Sequence, residues 1–224
     1  MTYSRDERRA LCALLDEAGP GAPTLCEGWA TRDLAAHLVL REHRPDAGVG
    51  LLGGPMAGYT ARVQASMARR VPYARLVQII RDGPPRVSVF GIPGMDERAN
   101  LVEYFVHHED VRRAAPGWRP RELDPELAEQ LWQRLRLPIT RLILRRVPVG
   151  VEFARSDAAA GDAGDGGARR RLRITIRNGT PVVTVVGSPA ELTLWTFGRT
   201  TAAQVRLDGA PKPVKALTET RWRL

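Results

Sequence analysis

Cysteine, lysine and histidine are scarce in this 224-residue chain, and each shortage removes a class of function. Two cysteines, Cys12 and Cys26, cannot build a four-cysteine zinc site or a disulfide framework. Cys12, beside Leu11 in a helical pattern, reads as a small buried hydrophobe, whereas Cys26 lies two residues ahead of Gly28 in a loop, where a reactive thiol would have no activating base near it in sequence. Apolar runs fall short of the ~18 residues that a membrane-spanning helix needs. The first residues, Met1 to Glu7, lack the apolar core of a signal peptide, so the expectation is a cytoplasmic protein with no membrane partner. Lysine is confined to Lys212 and Lys215, and the formal charge of +9 therefore rests on arginine. The arginines are scattered, with one run at Arg169-Arg170-Arg171, and neither a recognition helix nor an aromatic stacking motif accompanies them, which argues against nucleic-acid binding. The glycine-rich stretch between Gly48 and Pro55 lacks the preceding strand and the Gly-Lys-Ser/Thr ending of a phosphate loop.

What remains suits a globular protein with one large core or two small ones, since 43% of the residues are apolar and 26% charged. Ser4 followed by Glu7 predicts a capping box, opening a helix with an apolar stripe of Leu11, Leu14, Leu15 and Ala18 that stops at Gly19-Pro20-Gly21. Thr31 predicts the cap of a second helix, with Asp33 in its first turn, running to about Pro45. Trp29 is expected to pack under the entry of that helix, with the wall of a pocket as its alternative use. A third helical region spans roughly Ala57 to Arg81, broken near Pro72, and closes at Gly83-Pro84-Pro85. Residues 87–94 read as an irregular crossing before a fourth helix that ends ahead of Pro116-Gly117. Four helices joined by short to medium loops predict an antiparallel bundle.

The fourth helix contains Asn100-Leu101-Val102-Glu103-Tyr104-Phe105-Val106-His107-His108-Glu109-Asp110. Helical spacing stacks Glu103 and His107 one turn apart on one side, bordered by the apolar residues Leu101, Val102, Phe105 and Val106. A carboxylate and an imidazole so placed are part of a metal site. Of the other histidines, His37 shares the core-facing side of the second helix with Leu34 and Leu38, while His43 and His108 fall well around their helices. The candidate ligands are His37, Glu103 and His107. The same residues also fit a plainer arrangement, a hydrogen-bonded core histidine beside a helical ion pair. Asp110, one turn past His107, reads either as a partner for that imidazole or as a solvated carboxylate.

Beyond residue 120 the pattern changes. Asp124-Pro125 opens a helix with Leu127, Leu131, Leu135, Ile139 and Leu142 at helical spacing, which Pro138 is expected to kink. Alternation then takes over in Val149, Val151, Phe153 and, after a Gly/Ala/Asp-rich loop over residues 156–168, in Leu172, Ile174, Ile176. Asn178-Gly179 predicts a tight turn with Pro181 to Val186 as the returning strand. Ser188-Pro189-Ala190-Glu191 predicts a capped helix ending at Gly198, followed by a short strand from Gln204 to Leu207. The expected fold is mainly α plus α+β, with a four-helix bundle over residues 1–120 and a small α+β domain over residues 121–224.

Several motifs together, Leu25-Cys26-Glu27-Gly28-Trp29, Arg32-Asp33-Leu34-Ala35-Ala36-His37-Leu38, Glu103-Tyr104-Phe105-Val106-His107 and Gly187 to Arg199, resemble the mycothiol-dependent maleylpyruvate isomerase family. That resemblance spans almost the whole chain. It implies a DinB-like bundle with a sterol-carrier-like C-terminal domain, and a divalent metal, usually zinc, held by His37, Glu103 and His107. It further implies mycothiol as cosubstrate, its thiol activated at the metal to add to a small electrophile, as isomerase or S-transferase. Arg199 is the catalytic guanidinium that the family pattern suggests for an anionic substrate, a surface cation at a helix C-terminus being its plainer reading, with Arg81 and Arg86 as weaker candidates. A non-catalytic metal-binding or small-ligand carrier is the alternative, and a homodimer is among the assemblies it allows.

Overall fold

The computed structural model describes residues 2–48, 54–85, 95–157 and 172–220. The crossing expected at 87–94, most of the 156–168 loop, the Arg169–Arg171 run and Arg86 lie outside them. The chain forms two compact units, Met1–Arg121 and Glu122–Leu224.

The first unit is helical: α1 (Tyr3–Ala18), α2 (Thr31–His43), a single turn α3 (Pro45–Gly48), α4 (Ala57–Arg70), α5 (Tyr73–Asp82) and α6 (Met95–Arg112). The break between α4 and α5 falls at Pro72, where the missing N–H and the fixed φ interrupt the helix. Helix α1 packs on α5 and α6, and α2 packs on α4 and α5. Leu11, Leu15, Leu34, Leu38, Leu76 and Tyr104 are buried together in the core. Cys12 joins them, and burial pushes its thiol up to about 11.

Two expected caps differ in detail. Ser4 and Glu7 lie inside α1, which begins two residues earlier than expected, after Thr2, and Glu7 is drawn to side chains on other segments. Thr31 is the first residue of α2 rather than its cap. Its hydroxyl donates to the Gly19 carbonyl at the end of α1, and the Asp33 carboxylate accepts from the Ala30 N–H at 3.0 Å. The helix end is still satisfied, because the Thr31 and Arg32 N–H groups donate to the carbonyls of Ala22 and Pro20 in the preceding loop.

The second unit contains α7 (Pro125–Leu135), α8 (Pro138–Ile143), a 3₁₀ turn (Leu144–Arg146), β1 (Gly150–Arg155), β2 (Arg173–Arg177), β3 (Val182–Gly187), α9 (Pro189–Thr196), β4 (Arg206–Asp208) and α10 (Pro211–Glu219). Asp124 caps α7 by accepting from the Glu126 N–H at 2.8 Å. Pro138 starts a new helix instead of kinking the old one, and this turns Ile139 and Leu142 outward while Ile143 and Leu144 enter the core.

The sheet runs β2-β1-β3-β4. β1 pairs antiparallel with β2 and parallel with β3, and β3 pairs antiparallel with β4. One row of apolar side chains, Ile174, Phe153, Val185 and Leu207, crosses all four strands in register. It faces a core that includes Trp132, Leu192, Trp195 and Leu217. The expected hairpin across Asn178-Gly179 is absent among the described residues, because β1 lies between β2 and β3. Instead the connection passes the start of β1 so closely that a Cβ on Gly150 would press into the Gly179 carbonyl. A two-residue hairpin turn needs a positive φ, and neither Asn178 nor Gly179 adopts one.

Candidate metal centre

Helix α2 presents His37 and Arg41 one turn apart, and α6 presents Glu103 and His107 at the same interval. Where the two helices meet, Glu103 Oε1 lies 3.2 Å from His37 Nε2 and 3.3 Å from His107 Nε2. The three donor atoms all fall within 4.8 Å of one another. The histidine rings stand edge to face with centroids 5.2 Å apart, and Trp29 lies 5.0 Å beyond His37. Trp29 thus walls the cluster while it packs at the entry to α2. The Glu103 side chain keeps 21% of its surface exposed and the His107 side chain 9%, so the cluster opens on the carboxylate side.

Each donor has a different support. His107 Nδ1 is 2.8 Å from Asp110 Oδ2, and Asp110 is fully buried, so it serves as a partner to the imidazole and not as a solvated carboxylate. That contact places a proton on Nδ1 and turns Nε2 toward Glu103 and His37. His37 Nδ1 is buried with no hydrogen-bond partner among the described residues, and its ring is positioned by packing on Trp29 and His107. Arg41 approaches Glu103 with Nε at 3.5 Å and also donates to the Asn100 side chain. Behind it, the buried Glu42 carboxylate accepts from Arg8 at 2.9 Å, Asn100 at 3.0 Å and Tyr104 at 2.8 Å, a network that locks α1, α2 and α6 together.

The electrostatics follow from this arrangement. Burial alone would raise the Glu103 carboxyl, but the Arg41 charge and the hydrogen bonds from His107 and His37 outweigh it and hold the group well below the carboxylate range. Burial pushes His37 down, so it is neutral. Burial also opposes charge on His107, yet its hydrogen bonds to Asp110, Cys26 and Glu103 keep it well above the usual imidazole value. With Nδ1–H committed to Asp110, His107 Nε2 can meet the Glu103 carboxylate only across a second proton or a cation. Donor atoms around a tetrahedral zinc ion, at ~2.0–2.3 Å from it, stand about 3.3–3.8 Å apart. The observed 3.2 and 3.3 Å spacings are close to that, and the donors fit a divalent ion.

Of the remaining candidates, Arg81 is on the surface, paired with Asp16 and Gln78. Arg199 belongs to the second unit, is half-buried just past α9, and donates to the Phe197 carbonyl. That unit also has a cavity of about 300 Å³ lined by Arg136, Arg141, Ile174, Thr175 and Ile176. One functional contact, that of Cys26 with Asp110, escaped the sequence reading. Cys26 Sγ is 3.2 Å from Asp110 Oδ2, and Cys26, His107 and Asp110 form a second group able to hold a metal. Their separation of 84 residues leaves no local signal, although the one-turn spacing of His107 and Asp110 is visible.

A helical unit with two imidazoles and a carboxylate converging between helices, joined to an α+β unit, defines a class of two-part proteins with a metal-type donor cluster. Residues 2–86 match the family model described as Mycothiol maleylpyruvate isomerase N-terminal domain, in agreement with the resemblance carried by the motifs around Trp29 and His37. Glu103 and His107 lie beyond the matched stretch, and the fold brings them to His37. A crystal structure of a mutant mycothiol-dependent maleylpyruvate isomerase is similar, with a TM-score of 0.51 and 15% identity over 94% of this chain and 93% of that chain. This similarity shows that the mainly α plus α+β fold is shared. No curated protein matches the chain.

Proposed function

We propose that the chain is a metal-dependent enzyme of thiol chemistry, in which His37, Glu103 and His107 hold a divalent ion, zinc by preference, and mycothiol is the cosubstrate. The convergence of two imidazole nitrogens on one carboxylate oxygen at 3.2 and 3.3 Å carries the metal part of this reading. The family match over residues 2–86 and the similar isomerase structure support the thiol part. Three protein donors leave open positions, as in catalytic rather than structural zinc sites. A divalent ion there supplies a Lewis acid that favours thiolate over thiol at neutral pH. Asp110 keeps the His107 proton on Nδ1 so that Nε2 stays a donor, and Arg41 keeps Glu103 ionised. The reaction class is addition of a thiol to a small electrophile. A reversible addition isomerises an activated double bond, and an irreversible one transfers the thiol.

We assign to Arg199 the role of holding an anionic electrophile, on the resemblance of the segment from Gly187 to Arg199. The second unit is read as a sterol-carrier-like domain, and the protein as a cytoplasmic one that can pair as a homodimer. Among the described residues, no helix is long and apolar enough to cross a membrane.

Elemental analysis of untagged protein, beside His37→Ala, Glu103→Ala and His107→Ala, tests the metal. One equivalent in the wild type, lost in all three variants, is the expected result. Wild type that stays empty after zinc, nickel or manganese is added would refute the reading. Turnover of a cis-unsaturated diacid is expected to vanish when either the metal or the thiol is removed, and Arg199→Lys is expected to raise KM more than it lowers kcat. Metal content without thiol-dependent turnover would instead favour a carrier, for which the 300 Å³ cavity of the second unit is the candidate binding place.

A further inference from the structure

Beside His107 Nδ1 and Asp110 lies Cys26, a thiol that the proposed function leaves unused. Cys26 sits in the loop between α1 and α2, which Thr24 shapes by donating from Oγ1 to the Trp29 carbonyl at 2.8 Å and accepting from the Cys26 N–H at 3.2 Å. The Leu25 N–H donates to the Asp110 carbonyl at 3.1 Å, tying this loop to α6. Cys26 Sγ is thereby held 3.2 Å from Asp110 Oδ2, the same oxygen that stands 2.8 Å from His107 Nδ1. Sulfur, nitrogen and oxygen donors all lie within 4.8 Å of one another, with Asp110 and His107 buried and Cys26 partly exposed.

The geometry points to a second cation site, formed by Cys26, His107 and Asp110, that takes a thiophilic divalent ion such as zinc, cadmium or cobalt. The Cys26–Asp110 spacing is already close to the ~3.3–3.8 Å between donors of a tetrahedral ion, and the His107–Asp110 contact has to lengthen by about 0.5–1 Å as its hydrogen bond gives way to coordination. On binding, the Cys26 thiol proton and the proton between His107 Nδ1 and Asp110 leave to solvent, one proton stays on Nε2, and sulfur–metal and nitrogen–metal bonds form. Neutral imidazole carries one proton, so His107 offers a lone pair on one nitrogen at a time. An ion on the Nε2 side leaves the proton on Nδ1, donated to Asp110. An ion on the Nδ1 side leaves it on Nε2, donated to Glu103. Each carboxylate is an acceptor in one state and a ligand in the other, and the two sites exclude each other. Sulfur gives the second set its preference for softer metals, while two nitrogens and an oxygen make the first set less selective. A thiophilic ion therefore withdraws His107 from the first set and blocks turnover, a consequence that rests on the proposed function, whereas the site itself does not.

The test is a cobalt titration of reduced, metal-stripped full-length protein, read by cobalt content, by visible d–d bands and by near-ultraviolet thiolate-to-cobalt charge transfer. Glu103→Gln disables the first set and is expected to bind one equivalent with the charge-transfer band. Adding Cys26→Ser to that background is expected to abolish both the band and the binding. Cobalt bound by Glu103→Gln without the band, no cobalt bound by it, or a band that survives Cys26→Ser would each overturn the second site. The single Cys26→Ser variant reads the first set separately. It is expected to bind cobalt with d–d bands alone, and failure there counts against the proposed function only. Circular dichroism of each variant checks that the helices persist.

Discussion

Asp110 reaches the cluster through His107 Nδ1, and its removal separates orientation from ligation. Asp110→Asn keeps the shape but gives up the negative acceptor that fixes the tautomer and raises the basicity of Nε2. We expect metal affinity to fall by about 10–100-fold with the helices intact, measured by competition against a chromophoric chelator. Tyr104→Phe tests the layer behind the site, since its hydroxyl donates at 2.8 Å to the buried Glu42 side chain, which is paired with Arg8. A hydrogen bond to a charged group contributes about 1.5–3 kcal/mol, and chemical denaturation should show a loss of that size. At this scale the sequence is informative where partners are one turn apart, as with Glu103 and His107. It is silent on Cys26 beside Asp110, because nothing in the local pattern of either residue reports the other.

Elements are bounded by local chemistry, and most of their limits are legible in the sequence. Pro72 divides α4 from α5, Asp124-Pro125 opens α7, and Ser188-Pro189 opens α9, each because a proline or a capping oxygen acts within a few residues of itself. The capping box expected at Ser4 and Glu7 fails for a nonlocal reason. Glu7 accepts from Arg121 at 2.9 and 3.0 Å and meets His108 at 2.8 Å, interactions far stronger than a reach back to its own helix end. The Asn178-Gly179 signal likewise marks the end of β2 but not a hairpin, since strand order is a tertiary property. Gly150→Ala tests that order directly: its Cβ meets the Gly179 backbone, which cannot give way like a side chain. Overpacking of this kind costs about 1–3 kcal/mol, and the denaturation midpoint should fall accordingly. An unchanged midpoint would mean that the connection does not pass over β1.

For the molecule as a whole, acid is the revealing variable. Burial raises the carboxyls of Glu7 and Glu109, but His108 and Arg121 for Glu7, and Arg113, Arg121 and Arg112 for Glu109, outweigh it and hold both below the ordinary value of 4.5. A carboxyl whose folded pKa is depressed adds stability that is fully present above its unfolded value and is lost as pH falls through the folded one. Stability of the helical unit should therefore hold from neutrality down to about the carboxylate range and then drop, and Glu7→Gln should flatten that drop while lowering the plateau. Denaturation midpoints across a pH series, followed by helical circular dichroism, would show this. A plateau unaffected by Glu7→Gln would remove the network from the stability of the unit.

The division between sequence and structure falls along the range of the forces involved. Helices, their proline breaks, the alternating strands and the one-turn pairing of Glu103 with His107 were determined by the sequence alone, because periodicity, capping and backbone restriction act over a few residues. Tertiary structure alone decided that β1 separates β2 from β3, that His37 meets Glu103 across two helices, and that Cys26 and Asp110 close the far side of His107. Those contacts are chosen by burial and by the need of each buried charge for a partner, and both are settled only when distant segments pack together.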